Sequence, residues 1–264
     1  MAEAFSQSLW APLLIGLATG LLSGTFGVGG GIVATPLLRL CLGLSPQVAV
    51  GTTLAVILPT SLTGVINYYR KNFVDTRLAL RLALPSALAG YLGARLTDAV
   101  SGSFLMVAFA LLIALAGFDL LTGFSEKLKK KAAGETYESP PWSRVLPVGL
   151  LAGFLSGFFG VGGGFVMIPI FIAYFSMPLK LALGTSLLTV AFIAVPGILT
   201  HFMLNHVRPD LTLLLVSGAV PGSYLGSRLA IIIKDNLLRK AFALIMLFIA
   251  GQMVFSELPK LGNH

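Results

Sequence analysis

Four glycines in five residues occur twice in this chain, as GVGGG at 27–31 and again at 160–164. Each glycine costs a helix about 1 kcal/mol against alanine, so a run of them ends one. Successive glycines can also turn their N–H groups into one concave spot, a nest that holds an anion. A helix that begins directly after such a run adds partial positive charge at its N-terminus. Gly27, Gly29, Gly30 and Gly31, with Gly160, Gly162, Gly163 and Gly164, are therefore candidate anion-binding residues. Hydroxyls follow each run, in GTT at 51–53 and GTS at 184–186. They make Thr52, Thr53, Thr185 and Ser186 candidate donors to the same ligand. Bonding to the backbone of their own helix is the other role open to such hydroxyls.

The segments that carry these residues are apolar. Of 264 residues, 56% are hydrophobic and 11% charged, and mean hydropathy is +0.92. A soluble domain is about 25% charged. Apolar runs recur near 9–26, 30–44, 46–68, 78–98, 103–123, 144–159, 163–176, 180–204, 210–230 and 238–256. They predict an all-α integral membrane protein of about ten transmembrane segments, with the bilayer as its main partner. The alternating short strands of a membrane barrel are not what these runs show. The net charge of +8 sits at segment ends. It reads as a topology signal and not as a nucleic-acid surface. Cys41 is the one cysteine, which excludes an internal disulfide and a cysteine metal cluster. No metal or cofactor is expected. The first apolar run lacks a basic leader and a cleavage site, so it reads as a retained span.

GLLSGTFGVGGG at 20–31 returns as GFLSGFFGVGGG at 153–164, with ten of twelve positions identical at an offset of 133. The offset holds without a gap through AVGTTL and ALGTSL, at 49–54 and 182–187, and through YLGARL and YLGSRL, at 91–96 and 224–229. The chain therefore divides into a first repeat at 1–124, a linker at 125–143 and a second repeat at 144–264. With ten crossings, fourteen Lys and Arg fall on one face and four, Arg39, Arg95, Arg208 and Lys260, on the other. With four crossings per half the split is eleven against seven. The positive-inside rule favours ten, with a cytoplasmic linker and both termini periplasmic. Five crossings per repeat is an odd number, so the repeats must be inverted, with the breaks near the midplane. Broken backbone inside a bilayer is tolerated where protein buries it or where it lines a cavity. Glycines spaced by four, at 16, 20 and 24, at 149, 153 and 157, and at 218, 222 and 226, form close-packing faces. Such faces serve within one chain or between two, so a homodimer is open.

The doubled LSGxFGVGGG block with its following proline, and the later GTT and GTS, resemble the sulfite exporter TauE/SafE family of bacterial membrane proteins. The resemblance covers nearly the whole chain. It implies secondary transport of sulfite or organosulfonates, usually outward, across the bacterial inner membrane. That agrees with an anion nest. Two halves rocking about the paired breaks would give alternating access. An anion channel, or an importer of a sulfonate or carboxylate, remains the alternative.

Arg95 and Arg228 match across the repeat and are candidate vestibule residues; the other role for them is interfacial anchoring. His201 and His206 are a candidate proton relay. HExxH, GxSxG and a GK[ST] after the glycines are all missing, so an enzyme or a nucleotide site is not expected.

Overall fold

The computed structural model describes residues 10–123 and 137–261. The lysine-rich part of the linker lies outside them, as do both extreme termini. Every apolar run is a helix: α1 (Trp10–Phe26), α2 (Gly31–Cys41), α3 (Pro46–Arg70), α4 (Thr76–Leu96), α5 (Gly102–Thr122), α6 (Trp142–Phe159), α7 (Gly164–Ala173), α8 (Leu179–Met203), α9 (Pro209–Ile232) and α10 (Asp235–Leu261). Among the described residues there is no strand. Five helices, α3, α5, α6, α8 and α10, are long and apolar enough to cross a membrane. At 1.5 Å per residue α2 and α7 reach only about 15 Å, half of a hydrocarbon core. Pro36 and Pro169 sit inside these two short helices, which end a few residues later.

The outside of the bundle is greasy. Leu80, Leu84, Leu88 and Leu92 form an exposed row on α4, and α5 and α10 expose Leu115, Phe118, Phe248 and Phe255. Such a surface suits lipid.

The tightest helix pairs join different halves of the chain, because the small-residue faces meet there. Gly16, Gly20 and Gly24 of α1 lie against Leu215, Ala219 and Ser223 of α9. The two helices therefore run parallel. Gly149, Gly153 and Gly157 of α6 meet Leu82, Ser86 and Gly90 of α4 in the same register, shifted by the repeat offset. The glycine face of α9 turns back onto Leu13, Leu17 and Leu21. All three glycine faces are thus filled within one chain. In the centre, α3 and α8 run antiparallel, with Tyr68 beside Gly184 and Leu54 beside Gly197.

Candidate anion site at the paired helix breaks

Both glycine runs leave the helix in the left-handed region. In the first break (residues 27–31), Gly27, Gly29 and Gly30 have φ of 69°, 74° and 92°. In the second (residues 160–164), Gly160, Gly162 and Gly163 have φ of 69°, 76° and 72°. The N–H of Gly27 closes α1 on Ser23 O, and that of Gly160 closes α6 on Ser156 O. The following amides, at 28–32 and 161–165, make no backbone hydrogen bond of good geometry among the described residues. They lead directly into the N-termini of α2 and α7, and the stretch is buried throughout. Successive left-handed glycines leading into a helix N-terminus are the backbone geometry that a nest requires.

The two breaks touch. A methyl built on Gly164 would meet Val28 Cα at 2.8 Å and Gly27 O at 2.9 Å. One built on Gly31 would collide with Val161 Cα and meet Gly160 O at 2.9 Å. Ile57 and Val190, matched across the repeat, close the centre: Gly29 faces both, and so does Gly162. Nothing in the sequence singled these two out, since an Ile and a Val in apolar helices carry no signal.

The predicted hydroxyls divide into two roles. Thr185 Oγ1 accepts the N–H of Asp75 at 2.8 Å, and Thr52 Oγ1 accepts that of Arg208 at 3.2 Å. Asp75 and Arg208 are the N-cap residues of α4 and α9. These threonines therefore hold loops from the opposite half. Thr185→Val is expected to lower stability by about 1 kcal/mol through the lost hydrogen bond, read by denaturation in detergent. Thr53 and Ser186, in contrast, are fully buried and their hydroxyls have no partner among the described residues. Ser186 Oγ lies 3.0 Å from a methyl built on Gly164, at the second break.

Five further buried hydroxyls share this state and were missed: Thr19, Ser23, Thr35, Ser61 and Ser156. Ser23 and Ser156 belong to the repeated LSG and were visible only as part of that match. An unpartnered buried hydroxyl costs about 1–3 kcal/mol, so seven of them among the described residues call for buried water or a ligand with acceptor oxygens. Among the described residues no Lys or Arg is buried. The buried carboxylate, Glu257, pairs with Arg39 at 2.9 Å, tying the end of α2 to α10.

The remaining candidates lie elsewhere. Arg95 stacks over Tyr91 at 5.5 Å and Arg228 over Tyr224 at 5.4 Å, each on its own helix and both exposed. Their neighbours Leu92, Leu96, Leu225 and Leu229 are exposed too, so the two arginines stand on exposed, greasy faces of their helices. That is the position of an interfacial anchor.

His201 is fully buried in α8, with Nε2 3.1 Å from Gly157 O and Nδ1 3.1 Å from Nδ1 of His206. A carbonyl only accepts, so Nε2 of His201 carries hydrogen and the proton between the rings belongs to His206 in the neutral pair. At the matched positions stand Tyr68 and Phe73, and Tyr68 OH donates to Gly24 O at 3.1 Å. The scaffold bond is kept in both halves, and the titratable pair occurs in one.

Residues 12–253 match the sulfite exporter TauE/SafE family. A probable membrane transporter protein of Xylella fastidiosa is 33% identical over 250 residues, covering 92% of each chain. The probable membrane transporter protein YunE of Bacillus subtilis is 28% identical over 253 residues, covering 89% of this chain and 91% of its own. A probable membrane transporter protein of Methanocaldococcus jannaschii is 29% identical over 216 residues, 76% of each chain. No solved structure matches. The buried glycine breaks, the greasy exterior and a match that spans nearly every helix agree, and the chain belongs to the sulfite exporter TauE/SafE family of membrane transporters.

Proposed function

We propose that this chain is a secondary transporter that exports a small sulfur-containing anion, sulfite or an organosulfonate, across the bacterial inner membrane. The observation that carries the reading is the direct contact of two amide-rich breaks among buried, unpartnered hydroxyls. The halves act as inverted repeats, which the antiparallel course of the matched helices α3 and α8 supports. Ten segments then place the linker in the cytoplasm and both termini in the periplasm. The moving bodies are not the two sequence halves, because the glycine faces weld α1 to α9 and α4 to α6. Alternating access takes the form of α1 and α9 shifting against α4 and α6, with α3 and α8 at the pivot.

An anion leaving a negative interior gains about 2.3 kcal/mol per charge per 100 mV. That suffices to drive export, and the His201–His206 pair is where a proton link would enter.

The test is sulfite flux from proteoliposomes holding the intact chain, under an imposed potential and, separately, a pH gradient. Saturable flux that grows with potential is expected. Flux that rises linearly without saturating would make the protein a channel. Intact protein that moves neither sulfite nor methanesulfonate would remove the substrate assignment.

A further inference from the structure

The two breaks are nearly identical in sequence, yet their surroundings differ. A methyl built on Gly30 would meet Thr19 Cγ2 at 2.7 Å and Ser23 Cβ at 3.3 Å. One built on Gly163, the matched glycine, meets Ala152 O at 2.6 Å and Ala152 Cβ at 3.5 Å. Gly29 faces Ser61 Oγ at 3.2 Å, whereas the nearest atoms to Gly162 belong to Val190 and Ile57. The repeat offset pairs Thr19 with Ala152, Ser61 with Ala194 and Thr35 with Ile168. Thr19, Thr35 and Ser61 are all at most 1% exposed with unpartnered hydroxyls, and each has an apolar mate. The other four unpartnered hydroxyls form two matched pairs, Ser23 with Ser156 and Thr53 with Ser186. The unpartnered hydroxyls that lack a polar mate therefore all lie in the first repeat.

We propose that the anion sits off the pseudo-twofold axis, on the first break, held by the amides after Gly27 and by the hydroxyls of Thr19, Ser23 and Ser61. The second break is mainly structural and closes the opposite wall. This rests on the anion-transport reading above and goes further, since that reading treats the breaks as equal. Charge follows from the donor set. The site offers amides and hydroxyls and no buried Lys or Arg among the described residues. The cost of moving an ion into low dielectric grows with the square of its charge, so such a site takes a compact monoanion with several acceptor oxygens and rejects a dianion.

Removing an unpartnered buried hydroxyl leaves the empty fold neutral or more stable. If the hydroxyl serves the ligand, affinity falls at the same time. This opposition separates a binding role from a packing role.

The experiment measures binding of methanesulfonate and of hydrogensulfite, the singly charged form of sulfite that predominates below neutral pH, to purified full-length protein, with sulfate as the dianion, in wild type, Ser61→Ala, Thr19→Val and Ser156→Ala. The melting temperature of each variant is recorded without ligand. A hydrogen bond to a charged group is worth about 1.5–3 kcal/mol, so Ser61→Ala and Thr19→Val are each expected to raise Kd by about tenfold to a hundredfold. Ser156→Ala is expected to raise it less than about threefold. Melting temperatures stay level or rise, and sulfate binds to none of the four proteins. Equal losses from Ser61→Ala and Ser156→Ala would put the anion on the axis and overturn the proposal, leaving the transport reading intact. A larger loss from Ser156→Ala would move the anion to the second break. Wild type that binds neither monoanion would overturn the anion reading and this placement together.

Discussion

Gly31→Ala and Gly164→Ala are each expected to reduce transport by at least about tenfold, although each adds one methyl. A methyl on Gly164 would meet Val28 Cα at 2.8 Å, Gly27 O at 2.9 Å and Ser186 Oγ at 3.0 Å. On Gly31 it would meet Val161 C at 2.8 Å and Gly160 O at 2.9 Å. Apart from the serine oxygen, these atoms are the backbone of the opposite break, which cannot swing aside as a side chain does. The methyl must push the breaks apart at the point where they meet. Overpacking of this kind costs about 1–3 kcal/mol, and about 1.4 kcal/mol is already tenfold in an equilibrium. Neither glycine has a positive φ, so backbone strain is not the cause. Gly43 supplies the contrast. Its φ is 65° and a methyl there would touch nothing within 4 Å. Gly43→Ala is expected to cost about 1–2 kcal/mol of strain and leave flux per folded molecule unchanged. The measurement is initial flux normalised to folded protein. Full flux in Gly31→Ala and Gly164→Ala would show that the contact between the breaks plays no part in transport.

The helices were legible because hydropathy and the repeat mark them, and the GVGGG runs forced helix ends wherever they fell. That the two runs touch was not legible. Gly31 meets Val161 across some 130 residues of chain, and only the packing of α1 on α9 and α4 on α6 brings them there. Matched polarity was a weaker guide than it looked. Thr52 and Thr185 match, and both accept loop amides, a scaffold bond that leaves each hydroxyl its proton to donate. Arg95 and Arg228 match, yet both lie on the outer surface. Duplication preserves scaffold bonds as readily as ligand contacts. Departures from the match point the other way. Ser61 against Ala194, Thr19 against Ala152 and His201 against Tyr68 are places where one half has something the other lacks. A lone hydroxyl in an apolar helix has no spacing to betray it. It gained meaning once burial showed it unpartnered beside a break.

The largest stability effect should fall on the glycine faces. Gly20→Ala and Gly153→Ala are each expected to destabilise the protein by about 2–3 kcal/mol, the upper part of the range for overpacking. A methyl on Gly20 would collide with Ala219 O and meet Ala219 Cα and C at 2.7 Å; on Gly153 it would collide with Ser86 O and meet Ser86 C at 2.6 Å. In each case helix backbone faces helix backbone, so relief requires α1 to move off α9, or α6 off α4, along the whole pair. The register makes local relief harder, since Gly16 and Gly24 press the same partner one turn either side, as Gly149 and Gly157 do in the other pair. Lipid tails are as apolar as the helices, so close packing is most of what holds such a pair together. Gly251 in α10 gives the opposite sign. Nothing lies within 4 Å of a methyl there and its φ is helical, so Gly251→Ala is expected to stabilise by about 0.8–1 kcal/mol through helix propensity alone. Unfolding in detergent would read all three. Nearly equal losses for Gly20→Ala and Gly153→Ala would mean that the two parallel pairs carry equal weight. A loss in one variant alone would contradict the view that both pairs are held rigid by their glycine faces.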